Sequence, residues 1–218
     1  MRVLELKVSF SQETKPKLYN EIVYREVKDT SNTVLNYERI EYNGISFKSP
    51  FISLKGATHN AGFDYYQFSD NAYIVVMEKQ GASLIRALFD QFIPGYKFKV
   101  IEILGQETVN SDFKLTKSVI GSSPAELSFF AGQEELEYKR GMIMLADYYL
   151  PNEANDAIYE FQLGEVSGIQ YGNPGNSKNS RVILEIFKNE RHRYTIMMYD
   201  ETLSQDEIDF LLNSLVFK

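Results

Sequence analysis

The chain has 218 residues, no cysteine, no tryptophan and a formal net charge of −7. That length suits one large domain whose core needs no covalent staple. The missing thiols exclude cysteine nucleophiles, thiolate metal sites and disulfides together. The acidic balance argues against general phosphate-backbone binding, and so against a nucleic-acid partner.

Residues 1–44 are charge-balanced, which leaves the acid surplus in 45–218. Leu4, Leu6, Val8 and Phe10 alternate with polar residues, the pattern of a strand rather than of a signal peptide. A cytoplasmic location is the simplest expectation, with a mature exported form that has lost its leader as the alternative. No apolar run reaches the roughly 18 residues of a membrane span, so no membrane insertion is expected. Leu18 to Val27 carries both a helical and a strand period, with Ile22-Val23-Tyr24 read as strand. Val34 to Tyr42 reads as another strand, closed by the turn dipeptide Asn43-Gly44. Residues 1–43 are therefore expected to form a β-rich N-terminal extension, and residues 44–218 the main domain.

In that domain Ile45 to Ile52 and Tyr65 to Met77 read as strands on either side of a Gly/Asn-rich loop, Gly56 to Gly62. Gly81-Ala82-Ser83 opens an amphipathic helix with Leu84, Ile85, Leu88, Phe89 and Phe92 on one face. Tyr96 to Leu104 and Phe113 to Ile120 read as strands, and Ala125 to Phe130 as a strand pairing with Tyr138 to Tyr149. Ala157 to Leu163 is a further strand, followed by a long polar loop from Gly164 to Ser180. Arg181 to Phe187 and Arg193 to Tyr199 then alternate with period two around a polar Lys188–Arg191 turn, the pattern of a β-hairpin. Ser204-Gln205-Asp206-Glu207 is a capping box, with Leu203 and Ile208 at the staple positions and Leu211, Leu212 and Leu215 on one stripe. The fold class expected from this order is α+β: an antiparallel sheet with helices packed on one face.

From Ile45 onward the order of elements resembles the PsbP-like fold family, which includes the DcrB-like bacterial proteins. The resemblance rests on four pieces. They are Ser49-Pro50-Phe51 at the end of a short strand, Tyr73-Ile74-Val75-Val76 leading into the Leu84 to Phe92 helix, the Gly121-Ser122-Ser123-Pro124-Ala125-Glu126-Leu127 turn, and the closing strand, capped helix and Asn213-Ser214-Leu215-Val216-Phe217 tail. It implies a PsbP-like domain, and members of that family mostly act as binding, assembly or chaperone modules.

Signatures of chemistry are scarce. With two histidines, His59 and His192, no His-x-x-x-His zinc pair can form. His59 with Asp64 or Asp70 suits a base and its orienting acid, but no nucleophile accompanies them. Gly121-Ser122-Ser123-Pro124 lacks the Gly-x-Ser-x-Gly elbow, and no phosphate-binding glycine loop occurs. Glu134, Glu135 and Glu137 read as solvated charges at a hairpin tip. Asn152-Glu153 with Asn155-Asp156 offers oxygen ligands for calcium but lacks the order and turn glycine of an EF-hand. Neither a metal nor a cofactor is expected. Recognition has better candidates: Tyr171, Asn173 and Asn176 in the 164–180 loop, and the aromatics Tyr65, Tyr66, Tyr148 and Tyr149. The expectation is a non-catalytic protein-interaction module of the adaptor, chaperone or immunity type, with a protein partner. Alternatives are a structural subunit of a larger assembly and an enzyme of unfamiliar type.

Overall fold

A computed structural model describes residues 21–30, 37–78, 85, 97–123, 132–175 and 181–218. In chain order the first strands are β1 (Ile22–Tyr24), β2 (Arg39–Tyr42), β3 (Ile45–Lys48), β4 (Gly56–Asn60), β5 (Phe63–Gln67) and β6 (Tyr73–Glu78). Four helices follow: α1 (Lys97–Leu104), α2 (Gln106–Asn110), α3 (Asp112–Ile120) and α4 (Gln133–Tyr149). A 3-10 turn (Asn152–Asn155) leads to β7 (Ile158–Leu163), β8 (Val166–Tyr171), β9 (Arg181–Lys188) and β10 (Arg191–Tyr199). The chain closes with α5 (Gln205–Asn213) and β11 (Val216–Phe217).

The strands form two sheets. The large one runs β1-β7-β8-β9-β10-β6-β5-β4, antiparallel except where β1 lies parallel to β7. The small one runs β11-β3-β2. This is the α+β architecture read from the sequence, and the C-terminal hairpin forms as read. Asn189 and Glu190 at its tip take φ of 51° and 62°, the positive pair that a type I′ turn needs to match strand twist. Asn43 and Gly44 do the same between β2 and β3, at 35° and 88°.

Alternation in β9 sorts its side chains between two cores. Val182, Leu184 and Ile186 join Tyr194, Ile196 and Met198 of β10, under the small sheet and α5. Ile183 and Phe187 face the other way, against Leu115, Val119, Met142 and Leu145 of α3 and α4. Helices therefore cover both faces of the large sheet, not one. A strand buried on both sides loses the polar half of its pattern, which is why residues 182–187 are buried without a break.

The capping box is present. Ser204 Oγ accepts from the Glu207 N–H, and Glu207 Oε2 accepts from the Ser204 N–H at 2.8 Å. Leu203 and Ile208 are both buried, as staple residues should be. On the same helix Asp209 is 1 % exposed and receives Arg25 Nη1 at 2.5 Å and the Lys28 N–H at 3.0 Å. Asn213 Nδ2 donates to the Lys28 carbonyl. These bonds fasten residues 25–28 to α5.

Five local expectations are corrected as well. Residues 97–104 and 112–120 are helical rather than extended, and Tyr138 to Tyr149 belongs to α4 rather than to a hairpin. In α3 the buried residues are Asp112, Leu115, Thr116, Val119 and Ile120. That spacing is helical, but two of the five are polar, so the apolar residues alone suggested alternation. Ser111 is the N-cap of α3, its side chain accepting from the Lys114 N–H. In α4 the buried stripe is Tyr138, Gly141, Met142, Leu145 and Ala146, and Glu134 and Glu135 sit in its first turn, where the helix dipole favours acid. The polar loop expected from Gly164 is, through Tyr171, the buried strand β8. The Gly/Asn-rich loop at 56–62 contains strand β4. The strand expected at residues 4–10, the helix from Ser83 to Phe92 apart from Ile85, and Ala125 to Phe130 lie outside the described residues.

Candidate interaction surface

Strand β4 ends the large sheet, and all five of its residues are exposed. Among the described residues no backbone pairs with its outer side. An edge strand leaves half of its N–H and C=O groups aimed outward, and proteins usually blunt such edges with lysine, proline or a bulge. Gly56-Ala57-Thr58-His59-Asn60 has neither lysine nor proline, and its pairing with β5 runs without a register shift. Exposed apolar side chains flank it at both ends: Ile52 (63 % exposed) and Leu54 on the approach, and Phe63 just after the Ala61-Gly62 turn. A two-residue turn makes Asn60 and Phe63 a hydrogen-bonded pair, so by alternation Ala57 and His59 turn their backbone groups outward.

His59 also ties β4 to its neighbour. Its Nδ1 lies 2.6 Å from Asp64 Oδ2, and the Tyr66 hydroxyl donates to the same oxygen at 3.0 Å. Burial, followed by the hydrogen bond to Asp64 and then the Asp64 charge, pushes the Tyr66 hydroxyl well above its ordinary pKa. The base and orienter expected from the sequence do meet, but on an exposed strand. Their visible effect is to hold the edge strand in register.

The recognition residues read from the sequence scatter. Tyr65 and Tyr66 project to opposite faces of β5. Tyr66 is 5 % exposed and its hydroxyl also reaches the Glu41 carbonyl, while Tyr65 packs on Tyr73, which stacks on Tyr199. Tyr148 and Tyr149 come from the last turn of α4, not from a strand. Tyr148 is 64 % exposed, and Tyr171 is 1 % exposed at the end of β8. Asn173 is exposed, and Asn176 lies outside the described residues.

Three of these tyrosines nevertheless converge. Tyr148, Tyr149 and Tyr171 line a cavity of about 200 Å³ with Met77, Pro151, Ile183, Glu185, His192, Thr195 and Met197. Glu185 of β9 is 7 % exposed, and its two oxygens accept from the Tyr149 and Tyr171 hydroxyls at 2.5 and 3.1 Å. His192 stacks on Phe187 and places Nε2 3.5 Å from Thr195 Oγ1. A single acid inside the apolar run Val182 to Phe187 was the sequence signal for this cluster. Only the tertiary fold brings the α4 tyrosines to it.

Burial first, and then the Glu185 charge, pushes the Tyr149 and Tyr171 hydroxyls well above the ordinary tyrosine range. Above about pH 10 an unfolded chain loses these protons while the folded chain keeps them, so stability falls as pH rises. The expected result is full stability below about pH 10 and a progressive loss above it. Without tryptophan, tyrosinate absorbance reports this cleanly: these two rings should ionise only after the exposed tyrosines, together with unfolding. Ionisation of all 15 tyrosines in one early step would contradict it.

No protein-family model matches the chain, and no curated protein matches it in sequence.

Proposed function

We propose that the chain is a non-catalytic protein-interaction module that captures an extended segment of a partner by strand addition at β4. The carrying observation is the uniformly exposed, unguarded edge of the eight-stranded sheet. Outward N–H and C=O groups are best satisfied by another extended backbone, and apolar residues at both ends of the strand offer seats for a partner's side chains. The resemblance to PsbP-like proteins, mostly binding or assembly modules, supports the same reading.

The test compares the wild-type protein with Ala57→Pro. Proline at an outward-facing edge position removes one donor without breaking the β4–β5 ladder. The variant should keep its circular dichroism and melting temperature and lose about tenfold or more in affinity for the captured partner, since each 1.4 kcal/mol is a factor of ten. Amide exchange of residues 56–60 should slow on binding. A partner retained at wild-type affinity by the folded variant overturns the proposal. A concentration-dependent dimer that the variant abolishes would make the added strand a second copy of this chain.

A further inference from the structure

We propose that the Glu185 cavity recognises a methylated organic ammonium group, with Glu185 as its counter-ion and Tyr148, Tyr149 and Tyr171 as its aromatic wall. A buried carboxylate is costly without a cation. Yet the partners of Glu185 among the described residues are two tyrosine hydroxyls, with no cationic side chain bonded to it. The neighbouring buried acid differs. Asp112 has the Arg191 guanidinium at 3.7 Å and the His192 N–H at 3.1 Å. The cavity thus presents negative charge in an apolar, aromatic surround, with an exposed ring at its side.

Donor demand narrows the cation. A carboxylate offers about four lone-pair directions, of which the hydroxyls use two. A primary ammonium needs three acceptors, and beyond those two it would have to draw the third from Tyr148 or from Thr195 and His192, which lie 3.5 Å from each other. A quaternary or tertiary methylammonium needs none or one, and it gains from aromatic faces and from the polarisable thioethers of Met77 and Met197. A metal ion needs several hard ligands together. No group of three or more acid, histidine or cysteine residues suited to one occurs among the described residues.

Binding of tetramethylammonium chloride and of choline chloride, followed by tyrosine fluorescence and by ligand NMR, tests this on the full chain. Saturable binding is expected. The neutral isostere 3,3-dimethylbutanol should bind about tenfold or more weaker than choline, in keeping with a desolvated cation–π site. Glu185→Gln should lose binding by a similar factor. If that variant fails to fold, Tyr148→Ala, altered at an exposed residue, should still weaken choline severalfold. Equal binding of choline and its isostere, or no saturable response to either cation, overturns the proposal. A peptide bearing trimethyllysine presents the same head group, and the tighter of peptide and choline identifies its source.

Discussion

Replacing Arg25 with methionine should lower the unfolding free energy by about 3 kcal/mol, the usual cost of stranding one charge of a buried pair. Arg25 and Asp209 side chains are 10 % and 1 % exposed and meet at 2.5 Å. Among the described residues, the carboxylate in Arg25→Met keeps the Lys28 N–H and Gln205 Nε2, both neutral donors. The guanidinium also lies over the Phe161 ring, 5.2 Å from its centroid, and its Nε and Nη2 find no acceptor among the described residues. Part of the loss is therefore packing on Phe161. Urea denaturation of Arg25→Met and of the double variant Arg25→Met/Asp209→Asn separates the two effects. The double variant should recover part of the loss, because no buried charge remains unpaired. A single variant within about 0.5 kcal/mol of wild type would place the pair among inconsequential surface contacts.

Gly168→Ala should be about as damaging. A Cβ at residue 168 would lie 2.0 Å from Phe161 Cζ and 2.5 and 2.6 Å from the two Cε atoms. Phe161 faces Gly168 across the β7–β8 ladder and is 1 % exposed, with Arg25 above it. A shift of the buried ring away from residue 168 would disturb its packing against the guanidinium. Overpacking of this kind costs about 1–3 kcal/mol, and a clash this deep belongs at the upper end. Truncating Phe161 to alanine costs about 3–5 kcal/mol alone. Gly168→Ala in that background should cost almost nothing, since the atoms it displaces are gone. Strict additivity in this double-mutant cycle would show that the ring does not rest on the glycine. Gly168, Phe161, Arg25 and Asp209 form one stack on the α5 face of the sheet, so the Arg25 and Gly168 variants should also couple.

Much of the fold was legible wherever a local signal had no competitor. The β9–β10 hairpin, the turns at Asn43-Gly44 and Asn189-Glu190, and the capping box of α5 each depend on residues adjacent in sequence. Helices α3 and α4 were missed because their buried stripes include Asp112, Thr116 and Gly141, which an apolar count passes over. Polar residues can occupy a buried stripe when a distant group satisfies them. Asp112 receives the His192 N–H across 80 residues.

The candidate sites were less legible still. Strand β4 buries neither face, so it has no hydrophobic alternation, and its extended form comes from the β5 ladder alone. Tyr65, Tyr66, Tyr148, Tyr149 and Tyr171 stood out as surplus aromatics, but nothing local says which are core and which are surface. Composition and local pattern were enough to determine an α+β chain without thiol chemistry, its C-terminal hairpin and its capped last helix. The tertiary structure alone decided which strand ends the large sheet among the described residues and which tyrosines meet Glu185. Both depend on pairings between distant residues, whose partners no short window of sequence contains.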